Sequence, residues 1–177
     1  MSLDKLLQFT ADAGDTPTAI ANNVSTNIID LHMSGIPVLA NGQGARDMGI
    51  GDKPALKIVA WVTTTFTGTT GTLQAALQGA TDNGAGAPNA FVTWWLSPLY
   101  ALATLTAGAR LYDMDVPRPP AGVAVPRFLQ MIWGIATAVM TAGAIKSWIV
   151  LDREDQMYQG TNNAVRGGYP AGVIVAN

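Results

Sequence analysis

Two aspartates in the sequence LYDMDVP have the spacing that acid–base or calcium chemistry would need. In a β-strand, Asp113 and Asp115 lie at i and i+2 and therefore point to the same face. With a third carboxylate they could contribute to a calcium site. With the adjacent Trp94 and Trp95 as a stacking platform, they could form a carbohydrate-binding or hydrolytic site. The favoured interpretation is plainer: an edge strand kept soluble by paired acids.

The other candidate groups give weaker signals for catalysis. His32 is the only histidine, and a general base needs a positioned partner, so a structural role is favoured. The chain has no cysteine, which excludes thiolate chemistry and argues against zinc. The glycine-rich string NGQGARDMGIG lacks both the strand-to-helix context and the GKS or GKT of a phosphate loop. The sequence therefore predicts a protein with no catalytic site, no metal and no cofactor.

The charge content limits the classes of partner. Charged residues make up 12% of the 177, against roughly 25% in typical soluble domains, and the formal net charge is −2. Lysines and arginines are scattered singly, so no basic stripe is present to neutralise nucleic-acid phosphates. The N-terminal residues lack the apolar core of a signal peptide, which predicts folding in the cytoplasm. Low charge combined with 49% hydrophobic residues predicts a surface that is largely covered by other protein.

Alternation of apolar and polar residues predicts an all-β fold. The clearest strand covers 56–67, and a hairpin is expected to join it to the next strand through GTTG. The turn-rich segments between strands favour a jelly-roll-like β-sandwich. The predicted strands are 26–31, 56–67, 72–79, 91–96, 109–116, 127–135 and 144–151.

The polar and glycine-rich ends of the chain predict extended arms on either side of this domain. We expect an N-terminal arm over 1–25 that lies outside the core, a sandwich domain over 26–151 and a C-terminal arm over 152–177. The connection MSGIPVLANGQGARDMGIGDKP should be exposed or held by a partner.

The stretch from Phe128 to Ile145 has two interpretations. Its 18 residues carry no charge, close to the length of a membrane-spanning helix. However, Gln130, Thr137 and Thr141 interrupt it, and the residues after Ala144 alternate as a strand does. We therefore expect a β-hairpin of two buried strands and no membrane span.

The order of these segments resembles a known family. The chain resembles the Bbp16-like family of tailed-phage capsid cement proteins over nearly its whole length, through the strings LDKLLQFTADA, STNIIDL, ARDMGIGDKPALKIVAWVTT, TLQAALQGATDN, GARLYDMDVP and PRFLQMIWGIATAVMTAGAIKSWIVLD. The resemblance implies a small β-rich decoration protein that is made in the host cytoplasm. It would assemble as a homotrimer on the outer surface of the virion, bridge major capsid protein subunits and have no catalytic residue.

Contacts with the capsid or between subunits are expected from apolar, aromatic and charged residues in the arms, the glycine-rich connection and the paired tryptophans. The Pro-rich insert PRPPAGVAVP and the tail from Arg153 onward are longer than the family implies, and we expect them to act as specific clamps. The expected contact residues are Leu3, Leu6, Leu7, Phe9, Arg46, Asp47, Trp94, Trp95, Arg153, Tyr158 and Tyr169.

Overall fold

Two antiparallel sheets face each other in the computed structural model, which describes residues 7–31 and 56–150. The strands are β1 Asn22–Val24, β2 Ile29–Asp30, β3 Lys57–Gly68, β4 Thr72–Ala80, β5 Val92–Leu96, β6 Tyr100–Ala101, β7 Arg110–Asp115, β8 Phe128–Ala136 and β9 Met140–Val150. The larger sheet has the order β1-β8-β4-β5, with β2 also paired to β8 and β6 to β4; the smaller has the order β7-β3-β9. The predicted all-β sandwich is confirmed.

The core lies between the sheets because alternate residues of each long strand are apolar. In β4, Leu73, Ala75 and Leu77 are fully buried, and the residues between them face outward, as the alternation predicted. Each predicted strand is present, although 26–31 contracts to the two residues of β2. The short strands β1 and β6 were not predicted, since three and two residues are too few to show a period.

Two predicted hairpins are instead connections between the sheets, and these predictions are wrong. β3 pairs with β7 and β9, whereas β4 pairs with β8, so residues 69–71 cross from one sheet to the other. Residues 137–139 make the same crossing between β8 and β9. The reason is burial: in this arrangement the apolar face of each strand covers that of its successor across the core.

The N-terminal residues close one edge of the sandwich, so the expectation that 1–25 stays outside the core is wrong for its described part. Residues 8 to 15 run along β9, with isolated bridges from Gln8 to Trp148 and from Asp15 to Ile145. The chain then crosses to the other sheet and pairs as β1 with β8. Phe9 is fully buried in the main core. Residues 1–6 and the C-terminal arm over 152–177 lie outside the described residues.

The uncharged stretch, 128–145, contains β8 and the first six residues of β9, as the strand interpretation predicted. Their inner residues Met131, Trp133 and Ile145 are fully buried in the main core. Within the described ranges, no helix is long and apolar enough to cross a membrane.

Candidate interaction surface

The outer face of the larger sheet carries an apolar row that crosses four strands. Strand pairing aligns Val24 of β1 with Ile132 of β8, Ile132 with Ala76 of β4, and Ala76 with Leu96 of β5. Only the two ends of the row are open to solvent, since Val24 is 55% and Leu96 is 57% exposed, whereas Ala76 and Ile132 between them are buried. We call these four residues the apolar row.

An amide row, made of Gln130, Gln78 and the neighbouring Thr93, lies beside the apolar row on the same face of the sheet. Gln130 and Gln78 are cross-strand partners, and Gln78 is paired with Thr93. The Gln130 Nε2 donates to Gln78 Oε1 at 2.7 Å, and the Gln78 Nε2 donates to Thr93 Oγ1 at 2.9 Å. On the other side of the apolar row, the Gln74 Nε2 donates to the Ser97 carbonyl at 2.9 Å. These three glutamine side chains are thus neutral and fixed by hydrogen bonds.

Charge is confined to one end of this face. Asp30 receives Arg127 at both oxygens, with 3.0 Å from Nε and 2.9 Å from Nη2, and Asp82 is bonded to Arg127 Nη1. Hydrogen bonding to Asp30, and then to Asp82, raises the pKa of Arg127 although desolvation opposes it. Desolvation acts to raise the pKa of Asp82, but the backbone N–H groups of Gly84 and Gly86 together with Arg127 leave it below its ordinary value. Arg127 and Asp82 are therefore both charged at neutral pH.

The outer face of the smaller sheet has the opposite character. Trp61 and Trp148 stack there with ring centroids 4.4 Å apart, and Val59 and Val150 complete a second, small apolar cluster. Charged side chains surround this cluster. Lys57 is paired with Asp115, Arg110 with Asp113 at 3.1 Å, and Lys146 lies 5.9 Å from the ring centre of Trp148. This face therefore presents a charged rim.

Comparison with known proteins identifies the family. The Bbp16 family model matches residues 13–149, which is more than half of the chain and includes every strand except the last residue of β9. The chain belongs to the Bbp16 family. The family name points to a phage protein. A comparison with curated proteins gave no match.

The paired tryptophans of this Bbp16 family member lie on the same side of the sheet, although adjacent residues of a regular strand would be expected to point to opposite faces. The pairing of β4 with β5 shifts between Leu77 and Gln78, which leaves Trp94 as an extra, bulged residue. Trp95 packs edge-on against Tyr112 at 5.1 Å, and Trp94 lies so close to Gly79 that an added Cβ there would be 2.2 Å from its ring. Both indoles are partly buried against the main core.

The residues of the alternative hydrolytic site are not brought together. Trp95 contacts the inward side of β7 through Tyr112, whereas the next residue, Asp113, points to the outer face and pairs with Arg110. Asp115 is engaged by Lys57. Among the described residues, no group of three His, Cys, Asp or Glu side chains could hold a metal ion.

The remaining predicted contact residues have three outcomes. The predicted contact by Phe9 is corrected, because its side chain is fully buried and does not reach a partner. Leu7 is half-buried against the core. Seven predicted contacts lie outside the described residues: Leu3, Leu6, Arg46, Asp47, Arg153, Tyr158 and Tyr169. His32 also lies outside them.

The sequence did not predict Val24 and Leu96 as surface residues. The alternation in 72–79 predicted one apolar face and one polar face for β4. The position of Val24, by contrast, depends on pairing with a strand more than 100 residues away. Leu96 directly follows two tryptophans, and these larger aromatic residues give the stronger signal for a contact in β5.

Proposed function

We propose that this chain is a capsid cement protein. It binds the outside of a tailed-phage head, as a homotrimer, and stabilises contacts between major capsid protein subunits. It does so as a structural component of the virion and not as an enzyme. The observation that carries the proposal is membership of the Bbp16 family over residues 13–149.

The described surface supports this proposal. A neutral row of apolar and amide groups across a stiff antiparallel sheet suits a flat protein partner better than a small molecule, which needs a concave pocket. Interfaces are depleted in charge at their centre, and the centre of this face carries none among the described residues. The low charge content of the whole chain agrees with a surface covered by protein.

The physical mechanism of cementing is linkage. A protein that binds the assembled shell and not its separated subunits stabilises the shell in proportion to its occupancy. A trimer engages three sites at once, so a subunit that dissociates from its site can rebind before the whole trimer leaves the shell. Modest contacts per copy can then hold an entire head.

The test is to mix the purified protein with expanded capsids that lack decoration. We expect the protein to co-sediment with the capsids and to raise the melting temperature of the shell in calorimetry. Light scattering of the free protein gives its mass and tests the trimer. Neither co-sedimentation nor a change in melting temperature would refute the proposal, and an unrelated β-sandwich of similar size serves as the control.

A further inference from the structure

We propose that the outer face of the larger sheet, centred on the apolar row, is the surface that docks on the capsid shell, and that its partner is an uncharged, apolar strip of the major capsid protein. This inference rests on the proposed function and adds the docking face and the chemistry of the partner surface.

The distribution of charge selects this face. Along the apolar row and the amide row, the described side chains are all uncharged, and the two carboxylates at the far end, Asp30 and Asp82, are both paired with Arg127. A partner on the opposite outer face would have to bury the Lys57–Asp115 and Arg110–Asp113 ion pairs, in which Lys57, Asp115 and Arg110 still contact solvent, and the desolvation penalty of such a pair can exceed its Coulombic attraction. A neutral strip on the capsid can bind the first face without that cost.

The rigidity of the amide row favours the same face. The carboxamides of Gln130 and Gln78 are already held by hydrogen bonds to each other and to Thr93. Few rotamers need to be frozen when a partner arrives, and each side chain that would otherwise be immobilised costs about 0.5–1.5 kcal/mol. Val24 and Leu96, which have few rotatable bonds, supply the exposed apolar contact.

The area of the face argues for a shell and not for a free dimer. Four strands spaced by about 4.8 Å, with nine residues of about 3.4 Å each in the central two, cover at most about 600 Å². A standard stable interface buries about 800 Å² per partner. One copy of the face is therefore too small for a firm isolated dimer, but three copies engaged together on a regular shell exceed the requirement.

Substitution of the two exposed ends of the row tests the inference against a matched control. Leu96→Asp and Val24→Asp each place a charge on the proposed interface. Val139→Asp introduces the same charge at an equally exposed apolar residue, 54% exposed, in the connection between β8 and β9. All three positions are exposed, so the variants should fold, which circular dichroism and melting curves verify.

We expect Leu96→Asp and Val24→Asp to weaken co-sedimentation with undecorated capsids at least tenfold, and Val139→Asp to change it less than twofold. Binding of the wild type should also change less than about twofold between about 0.05 and 0.3 M NaCl, because no charges pair across the interface. Equal binding by the wild type and both row variants overturns the docking face, and so does equal weakening by Val139→Asp.

Two further outcomes are separable. A steep salt dependence of wild-type binding overturns the neutral partner while leaving the proposed function intact. Loss of a capsid-free oligomer in Leu96→Asp, measured by light scattering, assigns the face to contacts between copies of this chain and overturns the inference. A wild type that does not bind capsids at all refutes the proposed function, and the docking face with it.

Discussion

A buried carboxylate links the N-terminal segment to both sheets, and its removal should destabilise the whole domain. The backbone of Asp15 exchanges two hydrogen bonds with Ile145 of β9, at 2.8 and 2.9 Å. Its side chain reaches the other sheet, where Oδ2 accepts the indole N–H of Trp133 in β8 at 2.9 Å. Three further bonds come from Thr26 Oγ1 at 2.6 Å and from the amides of Thr26 and Ala11 at 3.2 Å.

The cost of Asp15→Ala follows from which donors can find water. Thr26 is exposed and Ala11 half-buried, so their freed groups can be solvated. Trp133 is fully buried, and its orphaned N–H should cost about 1–3 kcal/mol. Adding the loss of charge-assisted bonds, we expect the free energy of unfolding to fall by about 3 kcal/mol. Thr16→Ala, at the exposed neighbouring position, should have an effect within about 0.5 kcal/mol.

A double-mutant cycle isolates the bond between the sheets. Trp133→Phe removes the N–H and keeps most of the ring, so Asp15→Ala no longer leaves an orphan donor in that background. Its cost should fall by about 1.5 kcal/mol relative to its cost in the wild type. Urea unfolding followed by far-ultraviolet circular dichroism measures all four proteins without relying on tryptophan emission. A coupling energy below about 0.3 kcal/mol would refute the reasoning.

Three further substitutions test other parts of the fold. Because the folded pKa of Asp82 is lowered, this carboxylate stabilises the fold above its unfolded pKa of about 3.9, and the contribution disappears as pH falls through the lower folded value. The melting temperature of Asp82→Asn should therefore lie below that of the wild type at pH 6 and approach it at pH 3. Gly143→Ala would place a Cβ 2.2 Å from the ring of Phe66 at a φ of 135°, so urea unfolding should show a loss of about 2 kcal/mol or more. Thr137→Gly should raise the free energy of unfolding by about 0.5 kcal/mol, since Thr137 has a φ of 71°, and a measured loss would contradict this.

Sequence periodicity predicted the strands well because each long strand has one face in the core. The alternation in 72–79 placed Leu73, Ala75 and Leu77 on the apolar face of β4, and this face is the inward one. The alternation in 56–67 grouped residues by face without showing which face of β3 is inward. Pairing could not be predicted in the same way. The residues between β3 and β4 are compatible with a hairpin and with a crossing between sheets, and the choice depends on where β8 and β9 find their partners.

The N-terminal segment shows a second limit of local reasoning. The run ADAGDTPT shows no periodicity of apolar residues, and this pattern is typical of an extended arm. Its contribution to the fold comes from backbone hydrogen bonds to β9 and from a single carboxylate. The partner of Asp15 is Trp133, 118 residues away in the sequence. The bulge at Trp94 also could not be predicted from the sequence. An extra residue in a strand changes the face to which the following side chains point without changing the composition.

The low charge content takes on a more specific meaning once the two sheets are in place. In the described strands, the charged residues of the sheet faces surround the Trp61–Trp148 pair on the smaller sheet or gather around Arg127 at one end of the larger one. The centre of the larger sheet's outer face is left to the apolar and amide rows. A surface with one charged face and one neutral face has a preferred orientation on a partner, because hydration of the charged side favours keeping it toward water. The composition alone predicts a covered surface; the strand order brings the uncharged residues together on one face.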